Sequence, residues 1–333
     1  MYDILKIICV VIGTIIGAGF ISGQEIYTFF LKYGYIGFIC IFIMGILLGV
    51  VIYKTCFIIM NEKINNYESF LNSIFKNKFS KIKKFLHSLV NVFLLISFFI
   101  MCAAFCAYFK QEYNISIYLT GIIISIICYI IFIKNINAII KINSILMPII
   151  IILIFFLITK LNINQININY SNSTFKTILN CILYVSYNTI ILIPILLKLK
   201  SYMKNKKNIF LSSFICSIVV VIMALIIMFT INKIDGINNI EIPLLYVTNT
   251  YGESYKYIYS FVLIIAIVTS AISAGYGFLE NITKSKKNYK KLALLICIIS
   301  ILVSNFGFSN LVNVLYPLFG VLGLIQIFFI LKY

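Results

Sequence analysis

A glycine-rich apolar segment near the N-terminus has the sequence Val11-Ile12-Gly13-Thr14-Ile15-Ile16-Gly17-Ala18-Gly19-Phe20-Ile21-Ser22-Gly23-Gln24-Glu25. Its glycines weaken a helix, because each costs about 1 kcal/mol relative to alanine. The carboxylate of Glu25 is expensive inside lipid unless it faces protein or a water-filled cavity. The segment therefore predicts a membrane helix that is interrupted near its middle, with free backbone groups facing a ligand. Close packing of small residues, at the spacing of Gly13 and Gly17, is the open alternative.

The composition of the whole chain excludes most other classes of protein. Of 333 residues, 62% are hydrophobic and 11% are charged, whereas a soluble domain has about 25% charged residues. A soluble enzyme, a disordered chain and a secreted disulfide scaffold are thereby excluded. The net charge of +18 comes from lysines in short loops between apolar runs, which is the pattern of membrane topology rather than of nucleic-acid binding. The sequence predicts a polytopic membrane protein in a lipid bilayer.

Ten apolar runs are long enough to cross about 30 Å of hydrocarbon. We therefore expect an all-α fold with about ten transmembrane helices in a single domain, residues 1–333. With the N-terminus inside, the cytoplasmic segments hold 21 lysines and the outer segments six, which places both termini in the cytoplasm. The predicted spans are 4–31, 35–59, 85–109, 115–133, 138–158, 176–198, 209–230, 256–282, 291–307 and 310–331.

Polar residues also interrupt the sixth predicted span. Tyr184, Ser186, Tyr187 and Asn188 lie in its middle, and Pro194 follows them. These residues predict a second discontinuous helix, although hydrogen bonds between helices are an alternative explanation. Two interrupted helices at corresponding positions are typical of secondary transporters with inverted repeats. The first repeat would cover about 4–158 and the second about 176–331.

The sequence gives little support for an enzyme. His87 is the one histidine, it has no carboxylate neighbour along the chain, and no Walker-type loop for ATP is present. The nine cysteines lie in apolar runs without a pattern of metal ligands. We therefore expect no catalytic residues and no cofactor, apart from a coupling ion.

The segment from Gly13 to Glu25 resembles the opening signature of the YkvI-like membrane proteins, a bacterial family. That family is similar to the amino acid–polyamine–organocation superfamily, which has the LeuT-type fold of five plus five helices. The resemblance implies discontinuous helices 1 and 6. It also implies ion-coupled symport of a small solute, an amino acid, by alternating access across the bacterial cytoplasmic membrane. The oligomeric state stays open.

A second resemblance concerns sodium. The pattern Gly13-Thr-Ile-Ile16-Gly17-Ala-Gly19 is similar to a motif of neurotransmitter–sodium symporters, and so is Ala266-Ile-Val-Thr269-Ser270. The resemblance implies that sodium is bound by the carbonyls of Gly13, Ile16 and Ala266 and by the hydroxyls of Thr269 and Ser270. Hydroxyls in membrane helices also bond to their own helix, which is the alternative.

These patterns together predict a substrate site. A half-helix after Gly19 would offer N–H groups to a substrate carboxylate, while Gln24 and Glu25 would act in gating or proton coupling. A receptor subunit that binds a small molecule without transporting it, like a germinant receptor, is the alternative function. The predicted substrate-binding residues are Gly17, Gly19, Phe20, Tyr184, Ser186, Tyr187 and Asn188.

Overall fold

Helices make up the regular structure of the chain. The computed structural model describes residues 2–76, 79–133, 149–156, 174–232, 236–237, 240–283 and 286–333, and no strand occurs among them. The α-helices are α1 (Tyr2–Ile15), α2 (Ala18–Ile21), α3 (Gln24–Phe29), α4 (Gly34–Asn61), α5 (Tyr67–Ile74), α6 (Ser80–Tyr113), α7 (Ile117–Ile133), α8 (149–156), α9 (Thr174–Lys198), α10 (Lys206–Ile231), α11 (Pro243–Asn249), α12 (Glu253–Ile282), α13 (Lys286–Val303) and α14 (Phe308–Lys332).

The helices are those of a multi-pass membrane protein. Seven helical segments among the described residues are long and apolar enough to cross a membrane, and α7 is a shorter apolar helix. The first predicted span is not among the seven because it is broken into short helices, and most of the fifth lies outside the described residues. Large apolar side chains point outward, such as Ile46, Phe261 and Leu302. Such an apolar outer surface suits lipid and not water.

Both ends of the described chain lie at the same end of the helix bundle. Asp3 pairs with Lys204 at 2.7 Å, Lys200 donates to the carbonyl of Lys63, and Tyr333 donates to Glu62. We call this the lysine-rich end. The termini therefore share one side, as the even number of predicted spans requires, and its assignment to the cytoplasm stays a prediction.

Four helices pack against the helix that holds the corresponding position in the other predicted repeat. Helix α1 packs on α9, α4 on α10, α6 on α12, and α7 on α13. The diagonal pairs also match, because α1 packs on α10 and α4 packs on α9. The paired helices run in opposite directions, since α1 begins at the lysine-rich end and α9 ends there.

The predicted interruption of the sixth span is wrong, because α9 is one continuous helix from Thr174 to Lys198. Two of its polar side chains bond within the helix, and none of the polar residues breaks it. The amide of Asn188 donates to the carbonyl of Tyr184 at 2.9 Å, and the hydroxyl of Thr189 donates to that of Val185 at 2.7 Å. Pro194 removes one N–H donor near the end, yet the helix continues past it.

Candidate functional site

The first predicted span is broken where the glycines predict it. Helix α1 ends at Ile15, and Gly17 adopts an extended backbone with φ −82° and ψ −175°. No backbone hydrogen bond joins α2 to α1 across this described stretch. The carbonyl of Gly13, in the last turn of α1, and that of Ile16, just beyond its end, therefore have no backbone donor among the described residues and can accept from a ligand or bind a cation.

A second break follows only one helical turn later. Helix α2 contains four residues, and Gly23 then turns the chain with φ +82° in the left-handed region that favours glycine. The hydroxyl of Ser22 closes this turn on the carbonyl of Gly19 at 2.7 Å. The carbonyl of Ser22 also accepts from the N–H of Leu244 at 2.9 Å. The expectation of a half-helix that resumes after Gly19 is therefore wrong.

The double turn brings Glu25 back to the first break. A Cβ atom on Gly19 would overlap Oε1 of Glu25, so the carboxylate lies directly against that glycine. The hydroxyl of Tyr187, on α9, donates to Oε2 of Glu25 at 2.5 Å. Glu25 is 5% exposed, and it forms no salt bridge with any described residue. The structure thus joins three predicted site residues: Gly19, Glu25 and Tyr187.

Aromatic rings from four helices pack together around Tyr187, the hydrogen-bond partner of this carboxylate. Tyr187 stacks on Tyr316 with ring centroids 4.9 Å apart and on Phe29 at 5.5 Å, and Tyr184 meets Tyr187 edge-on at 5.3 Å. Phe93 lies parallel to Tyr316 at 6.4 Å. We call Phe29, Phe93, Tyr184, Tyr187 and Tyr316 the aromatic cluster. Sequence reasoning missed Phe29, Phe93 and Tyr316, because an aromatic residue in an apolar span carries no signal of its own.

Tyr184 is fully buried in this cluster, and its hydroxyl has no hydrogen-bond partner among the described residues. Burial of an unpaired hydroxyl is costly, so most such groups find a partner in a native protein. The hydroxyl therefore marks a place where a polar atom of a ligand would be accepted.

Gln24 lies in a separate polar network that joins α3 to the start of α14. Its amide donates to the hydroxyl of Ser309 at 2.8 Å, and Thr28 donates to Oδ1 of Asn313 at 2.5 Å. The carboxylate of Glu241 accepts from the N–H of Ser309 at 2.6 Å. The network holds α3 on α14 near the end opposite the lysine-rich end, which suits the predicted gating role of Gln24.

One face of α1 leads from the lysine-rich end to the first break. Cys9 is exposed and Gly13, four residues later on the same face of α1, is half-buried, as is Gly17 beyond the end of the helix. A Cβ on Gly17 would meet no atom within 4 Å. Open space therefore borders the break itself.

The predicted sodium ligands lie on α1 and α12. The hydroxyl of Thr269 donates to the carbonyl of Ile265 at 2.8 Å and approaches that of Ala266 at 3.2 Å, while Ser270 is half-buried. A hydroxyl that donates to its own helix keeps its lone pairs for a cation. These oxygen atoms fit a hard cation chemically. Their role as a sodium site stays a prediction.

The remaining predicted residues are less well placed. The hydroxyl of Ser186 donates to the carbonyl of Gly320 at 2.6 Å, so this side chain joins α9 to α14. Phe20 is fully buried in the apolar core. Asn188 bonds to its own helix. We therefore centre the candidate site on Glu25, Tyr187 and Tyr184.

The structure also changes the expected chemistry at the break. A single turn of helix has little dipole to attract an anion, and the carboxylate of Glu25 already borders Gly19. A substrate carboxylate placed there would meet a like charge. An ionised Glu25 at this position would instead favour a positive group.

Comparison with known proteins relates this chain to two proteins of Bacillus subtilis. It is homologous to YkvI of Bacillus subtilis. The two chains are 24% identical over 327 residues, which cover 95% of this chain and 91% of the relative, named an uncharacterized membrane protein. A second B. subtilis protein, YyaD, is 23% identical over 332 residues, which cover 99% of this chain and 96% of the relative. No protein-family model matches the chain.

Proposed function

We propose that this protein is an ion-coupled secondary transporter of a small organic solute, which works by alternating access in the bacterial cytoplasmic membrane. The observation that carries the proposal is the interrupted first span, whose second turn places the carboxylate of Glu25 against Gly19 inside the bundle. Broken backbone and a buried charge are both expensive in a membrane. Transporters use both at their substrate sites.

The helix pairing supports a fold of two inverted repeats. In the LeuT-type arrangement that we propose, α1–α3, α4, α6, α7 and α8 form the first repeat, and α9, α10, α12, α13 and α14 form the second. A pseudo-two-fold axis would bring each helix against its counterpart and would give matching diagonal pairs. The observed packing of α4 on α10 and α6 on α12 follows this rule. Tyr255 of α12 donates to Leu153 of α8, which matches the packing of α14 on α6.

Two ions are candidates for coupling. Sodium would use the free carbonyls of Gly13 and Ile16 with the oxygens of Ala266, Thr269 and Ser270. A proton would use Glu25, because protonation removes the cost of burying its charge. The open space beside Gly17 and the face of α1 that carries Cys9 and Gly13 would border a route for solute or ion from the lysine-rich end.

Uptake by the purified protein in liposomes tests the proposal. Candidate solutes are screened for binding by the rise in melting temperature that a ligand of the native state must cause. Uptake of each binder is then measured under a sodium gradient, under a pH gradient and without a gradient. Accumulation that requires one gradient supports the proposal. Binding without uptake under any gradient would contradict it and would favour a receptor.

A further inference from the structure

We propose that Glu25 and the aromatic cluster bind the ammonium group of a small organic cation. The inference rests on the proposed transport function and specifies its substrate class. Its basis is the single negative group of this region, which is buried and has no salt-bridge partner among the described residues. A buried charge is normally compensated by an opposite charge or by a proton. A cationic substrate would supply that opposite charge.

The rings favour an organic cation over a metal ion. The carboxylate of Glu25 accepts from Tyr187, whose ring packs against Phe29, Tyr184 and Tyr316, and Phe93 stacks on Tyr316. Ring faces attract ammonium groups, and quaternary ammonium ligands are commonly bound in such aromatic cages. A sodium ion instead needs several oxygen ligands, and those predicted for it belong to α1 and α12.

The cluster is held in a fixed arrangement. Tyr187 is fixed by its stacking on Tyr316 and Phe29 and by its hydrogen bond to Glu25. Fixed groups lose little conformational entropy when a ligand binds, which strengthens binding. The unpaired hydroxyl of Tyr184 would accept from an N–H or O–H group of the ligand, or donate to its oxygen.

Equilibrium binding to the purified full-length protein tests this inference. Calorimetric titrations use choline, tetramethylammonium and 3,3-dimethyl-1-butanol, which has the shape of choline without its charge. We expect the two cations to bind and the neutral alcohol to bind at least about tenfold more weakly, because it lacks the charge and the cation–π attraction. Equal binding of choline and the alcohol, or no binding of either cation at millimolar concentration, would overturn the inference.

Variants locate the binding. Glu25→Gln removes the charge and should weaken choline binding at least about tenfold. Glu62→Gln is the matched control, because Glu62 also accepts from a tyrosine hydroxyl, that of Tyr333, but at the lysine-rich end. Tyr316→Leu is a second variant, which should weaken choline binding even if Glu25→Gln does not fold. Wild-type affinity in either folded site variant would overturn the assignment.

The binding assay separates this inference from the transport proposal, because it needs no membrane and no gradient. Cation binding that depends on Glu25, without uptake, would contradict transport and support the ammonium site. Uptake of an anionic or neutral solute, without cation binding, would support transport and overturn the ammonium site.

Discussion

The carboxylate of Glu25 lies against the α-carbon of Gly19, because the left-handed turn at Gly23 folds the chain back on itself. In an uninterrupted helix the two residues would not share a face. The site therefore depends on two glycines with different tasks: Gly23 permits the turn, and Gly19 leaves room for the carboxylate that the turn delivers.

Gly19→Ala should displace this carboxylate. The added Cβ overlaps Oε1 of Glu25, so the side chain must move and its hydrogen bond with Tyr187 is broken or distorted. A hydrogen bond to a charged group contributes about 1.5–3 kcal/mol, so we expect substrate uptake to fall at least about tenfold. Initial uptake rates in liposomes measure the effect.

Gly121→Ala in α7 is the control for this substitution. Its Cβ would meet Ile301 at 3.5 Å, which is ordinary contact, and it lies far along the chain from the site. Alanine also favours helix over glycine, so expression, melting temperature and uptake should be retained. Equal uptake by the Gly19→Ala and Gly121→Ala proteins would show that the position of Glu25 does not matter.

The sodium hypothesis makes its own prediction at Thr269. If its hydroxyl and that of Ser270 bind sodium, the double variant Thr269→Ala with Ser270→Ala should raise the sodium concentration that gives half-maximal uptake at least about tenfold, because ion ligands are lost. Thr230→Ala is a matched control, since Thr230 is also buried and donates to the carbonyl four residues earlier. Sodium dependence is measured in liposomes at constant pH.

The same sodium dependence of uptake in the Thr269→Ala/Ser270→Ala protein and the Thr230→Ala protein would show that Thr269 only bonds its own helix. A pH gradient that drives uptake in the absence of sodium would transfer the coupling role to Glu25.

The sequence predicted the parts of this structure that depend on composition and on glycine. The membrane class follows from the scarcity of charge, and the break near Gly17 follows from the glycine cost in a helix. The position of both termini at one end of the bundle agrees with an even number of spans, and the count of ten stays a prediction. These features depend on amino-acid composition, on the helix propensity of glycine and on the number of apolar runs, all of which can be read without knowing tertiary contacts.

Other features depend on partners distant in the chain, and the sequence predicted them poorly. The amide of Asn188 bonds to its own helix, whereas the same side chain could equally have bonded to a ligand across a broken helix. Ser186 contacts Gly320, and Tyr316 joins the site only because α14 packs on α9. The sequence did not predict the second turn, because Gly23 was assigned to the same interruption as Gly17 and Gly19.

Cys9 offers a test of the route along α1. It is the exposed cysteine of the nine, and the other eight are buried. If its face of α1 borders water, a membrane-impermeant thiol reagent should label Cys9 from the lysine-rich side in oriented vesicles. A saturating ligand should change the labelling rate, because alternating access alters exposure of the route.

The Cys9→Ser protein is the control, and it should incorporate no label while the bundle stays folded. Labelling by lipid-soluble reagents alone would show that this face of α1 contacts lipid and would remove the proposed route.

Substitution of Pro194 tests whether α9 is continuous and straight in the native protein. The measured quantity is the melting temperature. A proline inside a helix removes one N–H donor and costs up to about 3 kcal/mol relative to alanine. Since α9 continues to Lys198, Pro194→Ala should restore a hydrogen bond to the carbonyl of Ile190 and raise the melting temperature by a few degrees.

Pro243→Ala is the control, because Pro243 lies at the first turn of α11, where proline costs nothing. It should give no gain. A lower melting temperature for Pro194→Ala would contradict this expectation. It would indicate that the native α9 is bent at Pro194 and that the proline stabilises the bend.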